Sequence, residues 1–154
     1  MRRIRKILLA LLVLFLVIQF SRPAHNTTKQ VLATDFNRLF VVPDTMQAVL
    51  QNACYDCHSN NTLYPWYSNI QPIAWIIARD IKKGKEQLNF SDFGSYGSRR
   101  QISKLKEIAN QVKDDEMPIT AYKLMHIKAR LSQGQKLMII EWMQKTADAL
   151  TIKN

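Results

Sequence analysis

Apolar residues in this chain gather in helix-length blocks, and no run alternates as a half-buried strand would. The first block, Ile7 to Ile18, is unbroken and extends to Gln19 and Phe20. The next stretch, residues 21–35, is polar and without period, and it reads as a tether. From Asp44 the apolar positions recur at helical spacing. Met46, Val49 and Leu50 share one face of a helix that Asp44 or Thr45 can cap and that runs into Cys54. Residues 59–71 read as loop. A second helix starts near Pro72, carries Ile73, Trp75, Ile76, Ile77 and Ile81, and is predicted to end at Lys83–Gly84. Ser98 can cap a third, with Ile102, Leu105, Ile108, Ala109 and Val112 inward. Asp114 to Lys123 reads as a loop around Met117-Pro118. Ser132 and Gln135 form a capping box for the last helix, whose apolar face uses Leu137, Ile140 and Met143 or Trp142.

The pattern predicts an all-α domain of four or five short helices over residues 41–150, preceded by a tether at 23–40 and an N-terminal segment at 1–22. No internal repeat is present. Of the 154 residues 47% are hydrophobic, enough for a core when the leader is set aside.

Charge sharpens the reading of the leader. The formal net charge is +10, and Arg2, Arg3, Arg5, Lys6 and Arg22 flank the first apolar block. Every acidic residue lies after position 34, and the rest of the chain sets 17 cations against 12 acids. The apolar block has the length of a signal-peptide core and is short for a full span. It ends Gln19-Phe20-Ser21-Arg22-Pro23, which offers no small-residue cleavage site and no lipidation cysteine. The segment is therefore expected to stay as a signal anchor, a transmembrane helix with its basic end in the cytoplasm. That places the domain at the inner membrane, facing the periplasm. No helix-turn-helix or zinc-finger spacing accompanies the basic charge, so nucleic acid is not an expected partner.

The chemistry concentrates in Cys54-Tyr55-Asp56-Cys57-His58, which is C-x-x-C-H, the attachment signature of c-type haem. Two thiols separated by two residues reach the two vinyl groups on one porphyrin edge, and the next residue projects its imidazole to the iron. A thioredoxin-like dithiol would need a strand before the motif, whereas a helix is predicted there. A zinc site would need a fourth ligand beyond Cys54, Cys57 and His58, and His126 or Asp56 would supply it alone. One haem c per chain is the expected cofactor. Its iron needs a sixth ligand or an open site. Met117, held beside Pro118 in a polar loop, is the expected distal ligand, and His126 is the alternative; Met125 ranks lower, and His25 falls in the tether.

His58 should donate its second N–H to a backbone carbonyl, with the region of Pro65 or Pro72 as candidate. Tyr64, Trp66, Tyr67 and Trp75 could wall the pocket or simply pack. Arg79, Arg99 and Arg100 are candidates to pair with propionates.

The segment from CYDCHSNNT through YPWYSNIQPIAWIIARDIKKGK, followed by Met117-Pro118, HIKARLS and IIEWM, resembles the haem-binding domain family of cytochrome-c-like proteins, over roughly Val41 to Trp142. The resemblance implies a cytochrome-c-like fold with first and last helices packed together, haem on Cys54 and Cys57, His58 as proximal ligand and Met117 as the second. Two departures stand out: Asp80 where many relatives carry His, and Ile127 where Pro is common. The expected function is electron transfer by a monohaem c-type cytochrome outside the cytoplasm, with redox partner proteins unspecified and no enzymatic role. The alternative is a haem-based sensor or ligand-binding module whose sixth position is open or displaceable.

Overall fold

The computed structural model describes residues 2–153, and among them the chain is all-helical, with no strand beyond a single bridge between Thr27 and Asn61. Eight α-helices follow in order: α1 (Arg2–Ile18), α2 (Phe36–Leu39), α3 (Asp44–Ala53), α4 (Tyr55–His58), α5 (Ile73–Gln87), α6 (Ser98–Lys113), α7 (Thr120–Met125) and α8 (Gln133–Lys153). Three 3-10 turns, at 66–69, 90–95 and 127–129, join them.

Helix α1 stands away from the body with no buried residue. At 1.5 Å per residue its 17 residues reach about 26 Å. Among the described residues, no helix is long and apolar enough to cross a membrane.

The core lies between α3, α6 and α8. Met46 and Leu50 of α3, Leu105, Ala109 and Val112 of α6, and Ile139, Met143 and Ala147 of α8 are buried together. Helix α8 lies chiefly along α6 and touches α3 through fewer residues, so the helix that leads into Cys54 meets the last one while α6 is the main partner of the last. The predicted capping box is present: Ser132 N–H donates to Gln135 Oε1 (2.8 Å) and Gln135 N–H to Ser132 Oγ (3.2 Å). An aromatic knot closes one end of this core, with Phe36 edge-on to both Phe90 and Phe93 at about 5 Å.

Phe36 is fully buried, so the body begins before residue 41. The stretch read as a tether is in fact stitched down. Asn26 donates to Ser59 O (2.7 Å) and Thr62 Oγ1 (3.0 Å) and accepts from Lys85 Nζ (2.7 Å), while Thr28 N–H reaches Asn60 O. Composition marked these residues as polar; their partners lie tens of positions away and leave no periodic trace.

Helix boundaries depart from expectation where tertiary contacts intervene. Pro43 occupies the N-cap of α3, with Asp44 its first residue, and Gly97 rather than Ser98 caps α6. Helix α5 runs past Gly84 to Gln87. Gly84 does not end the helix; a Cβ there would sit 2.7 Å from the Cys57 carbonyl oxygen. The missing side chain lets α5 lie directly against the Cys54–His58 turn.

Gly84→Ala should push α5 off that turn and destabilise the protein by roughly 1–3 kcal/mol, as overpacking does. Gly97, whose Cβ would meet nothing within 4 Å, is the control. Denaturant unfolding of both variants checks this; equal stability of the two would contradict the contact.

Candidate functional site

Helix α3 ends as Cys54 N–H donates to Leu50 O, and the chain turns at once into α4. Within that turn His58 N–H bonds Cys54 O at 3.0 Å, which puts Cys54, Cys57 and His58 on one short coil. Both cysteines are unpaired and half-buried. Burial pushes the Cys54 thiol up to about 12, and Cys57 up to about 11 with help from nearby Asp56 and Asp80. Thiols held protonated contrast with the lowered pKa through which a redox dithiol works. Among the described residues no group of three or more His, Cys, Asp or Glu side chains could hold a metal ion.

His58 Nδ1 lies 3.1 Å from the Leu88 carbonyl oxygen. A backbone carbonyl orients the ring, as expected, but it comes from the end of α5 and not from Pro65 or Pro72. With Nδ1 engaged as donor, Nε2 is the nitrogen left for a metal. Burial lowers the His58 pKa, which favours the neutral imidazole that metal ligation requires.

Two cavities of about 260 Å³ each flank this ring. Both are lined by Ala53, His58, Gln87, Met117 and Pro118; Cys57 faces one and Cys54 the other. Met117 is thus brought to the same space as His58, 59 positions away in the sequence. Its loop is pinned: Met117 and Glu116 N–H groups both bond Gln111 O, and Asp115 pairs with Lys136 of α8.

His126 is placed differently. It lines a neighbouring cavity of about 200 Å³ with Cys57, Asp56 and Tyr67, and neither cavity that His58 lines. Both its ring nitrogens have partners, Tyr67 Oη at 3.2 Å and the Tyr122 carbonyl at 3.2 Å, and the ring stacks on Tyr122. Met125 lines that same cavity. His25 stacks on Tyr64, outside the His58 cavities.

The expected aromatic wall is also redistributed. Trp66 and Trp75 are exposed, Tyr64 holds the N-terminal stretch through Asn26, and Tyr67 belongs to the neighbouring cavity. Phe90 and Tyr122 wall the His58 cavities instead. Tyr122 Oη donates to Asp56 Oδ2 at 2.7 Å, so the variable part of C-x-x-C-H is tied to α7. Asp56 Oδ1 also accepts from Leu63 N–H. The three candidate arginines are elsewhere: Arg79 pairs with Asp80, Arg100 lies over the Tyr96 ring, and Arg99 lines neither cavity. The cations at the cavities are Lys83 and Lys104, which sequence reading missed because nothing local distinguishes them from other surface lysines.

A family model described as a haem-binding domain matches residues 13–145. The chain belongs to the haem-binding domain family. Comparison with curated proteins found no match, and comparison with solved structures found none. The site suits the group that names the family. This haem-binding domain offers two thiols on one turn, an oriented imidazole and a thioether around two largely apolar cavities that share His58 and Met117, with a lysine lining each. The match begins at residue 13, inside α1, so the docked N-terminal stretch falls within the family's extent.

Tyr122→Phe should cost about 1.5–3 kcal/mol, the range for a hydrogen bond to a charged group. Thermal unfolding of the haem-loaded protein measures it, and Asp56→Asn, which keeps an acceptor for Tyr122, should lose less.

Proposed function

We propose that this haem-binding domain is a monohaem c-type cytochrome that transfers electrons outside the cytoplasm, held to the inner membrane by α1 and facing the periplasm. The observation that carries the reading is the meeting of His58 and Met117 on the same two cavities, with Cys54 and Cys57 each facing one of them.

In this reading Cys54 and Cys57 would hold the haem through their sulfurs, and His58 Nε2 and the Met117 sulfur would be the iron ligands. Haem iron so bound supplies a one-electron couple, and a sulfur ligand raises its potential relative to two nitrogens. The chain does the remaining work. Leu88 O fixes the His58 ring. The pinned 114–119 loop presents Met117, and Phe90, Ile108 and Val112 keep water from one side. Lys83 lines one cavity and could pair there with a propionate, whereas Lys104 at the other is held by Glu107 at 2.7 Å. With His58 and Met117 both engaged, the site would leave no room for a substrate, which suits electron transfer. The helices that build it are read as a cytochrome-c-like domain.

Helix α1 supports the membrane reading. It is apolar and exposed around its circumference, which in water would be unfavourable, and four cations precede its apolar run. At about 26 Å the helix alone falls short of a span of roughly 30 Å, and in this reading snorkelling of Arg5 and Lys6 makes up the difference.

Expression with a haem-attachment system, followed by visible spectra of oxidised and reduced protein, tests the proposal. Covalent low-spin haem with a far-red sulfur-to-iron band, lost in Met117→Ala and retained in His126→Ala, is expected. A high-spin spectrum that binds carbon monoxide readily would favour a sensor or ligand-binding module, and absence of covalent haem would sink the cytochrome reading.

A further inference from the structure

Asn26 has every one of its polar groups engaged, and its partners bracket the C-x-x-C-H turn. Its side-chain Nδ2 donates to Ser59 O (2.7 Å) and Thr62 Oγ1 (3.0 Å), and its Oδ1 accepts from Lys85 Nζ (2.7 Å). Its backbone N–H reaches Tyr64 Oη at 2.8 Å, and its carbonyl accepts from Thr62 N–H at 3.0 Å. Ser59 follows His58 directly. Thr62 Oγ1 passes the link on, donating to the Asp56 carbonyl inside the turn at 2.6 Å. Lys85 follows Gly84, whose lack of a side chain admits the Cys57 carbonyl. One side chain therefore joins the turn to α5 across the contact that brings them together.

The loop that Asn26 grips is also tied to the chain that orients His58. Asn60 N–H donates to Ser91 Oγ and Asn89 Nδ2 to Asn60 Oδ1, both at 3.0 Å, just beyond the Leu88 carbonyl that faces His58 Nδ1. Ser59 and Thr62 are buried, so losing Asn26 would strand acceptors away from water. The neighbouring His25 makes a different contact, stacking on the Tyr64 ring with 4.1 Å between centroids. The family match starts at residue 13 and so takes in this strap.

We propose that Asn26 is a positioning residue for the haem site. Through Ser59, Thr62 and Lys85 it holds the Cys54–His58 turn against α5, and so keeps His58 Nδ1 on the Leu88 carbonyl. A hydrogen bond at Nδ1 makes the imidazole a stronger donor through Nε2, which favours ferric over ferrous iron. A polar stretch that looks like a linker thereby tunes a metal ligand far along the chain. The inference rests on the reading of His58 as an iron ligand.

The test measures the reduction potential of the full haem-loaded chain by spectroelectrochemistry, beside its thermal unfolding. Asn26→Ala should loosen His58 and shift the reduction equilibrium towards ferrous iron at least about threefold. Thr62→Val keeps the shape of the side chain but removes the hydroxyl that carries the link to Asp56. It should shift the potential the same way, and Thr62→Ser should not. The double variant should move the potential by less than the sum of the two, because both cut one path. His25→Ala, which removes the stack on Tyr64 and leaves the Asn26 side-chain bonds, should match the parent. If Asn26→Ala and Thr62→Val lower the melting temperature but leave the potential unchanged or lower, Asn26 only holds the fold and the proposal is overturned. An equal shift in His25→Ala would assign the effect to the strap as a whole and overturn it too. Should Asn26→Ala fail to fold, the Thr62 pair decides alone. His58→Ala tests the premise separately: a haem-loaded variant with the parent's visible spectrum would show that His58 does not ligate the iron, and the ligand reading itself would fall.

Discussion

The site depends on one close approach: helix α5 lying against the Cys54–His58 turn. Gly84 makes it possible by having no side chain, and the Leu88 carbonyl at the end of the same helix uses it to orient His58. Were α5 an ångström further out, the imidazole would lose its partner and the cavity its wall. The same helix carries Lys83 and Gln87 to the cavity margin and Asp80 towards Cys57. One backbone contact thus places the thiols, the ring and half the lining at once.

The other half comes from α6, α7 and the loop between them. Met117 is held there by hydrogen bonds to Gln111 and by the Asp115–Lys136 pair, so its position depends on how α6 lies along α8. Tyr122 closes the circuit by bonding Asp56 inside the C-x-x-C-H turn. The buried thiols and the neutral, oriented imidazole describe an environment suited to the apolar, iron-bearing group that names the family.

The N-terminal stretch shows how polar sequence can conceal fixed structure. Asn26 meets Ser59, Thr62 and Lys85, and Gln71 is fully buried with its bonds directed to Gln19 and Ser21. Satisfying these buried polar groups requires partners, and the partners lie in the chain that precedes the body. The domain therefore starts well before the first amphipathic helix.

The sequence by itself determined what is local. Helical periodicity placed α3 and α6, whose buried faces recur every three or four residues; in α8 Ser132 with Gln135 announced the start, but the buried face runs through Ile139, Met143 and Ala147 while the expected Leu137 is exposed. C-x-x-C-H was legible because its three residues fall within one turn of chain, and the resemblance to the haem-binding domain family drew on it together with the segments that follow, to Trp142. Only the tertiary structure decided what is distant. It gave Met117, and not His126, a place on the His58 cavities, and Leu88 the ring-orienting role assigned to the region of Pro65 or Pro72. It put Lys83 and Lys104 where Arg79, Arg99 and Arg100 had been candidates. Those assignments turn on which helix faces which, a matter of contacts across tens of residues that no spacing along the chain encodes.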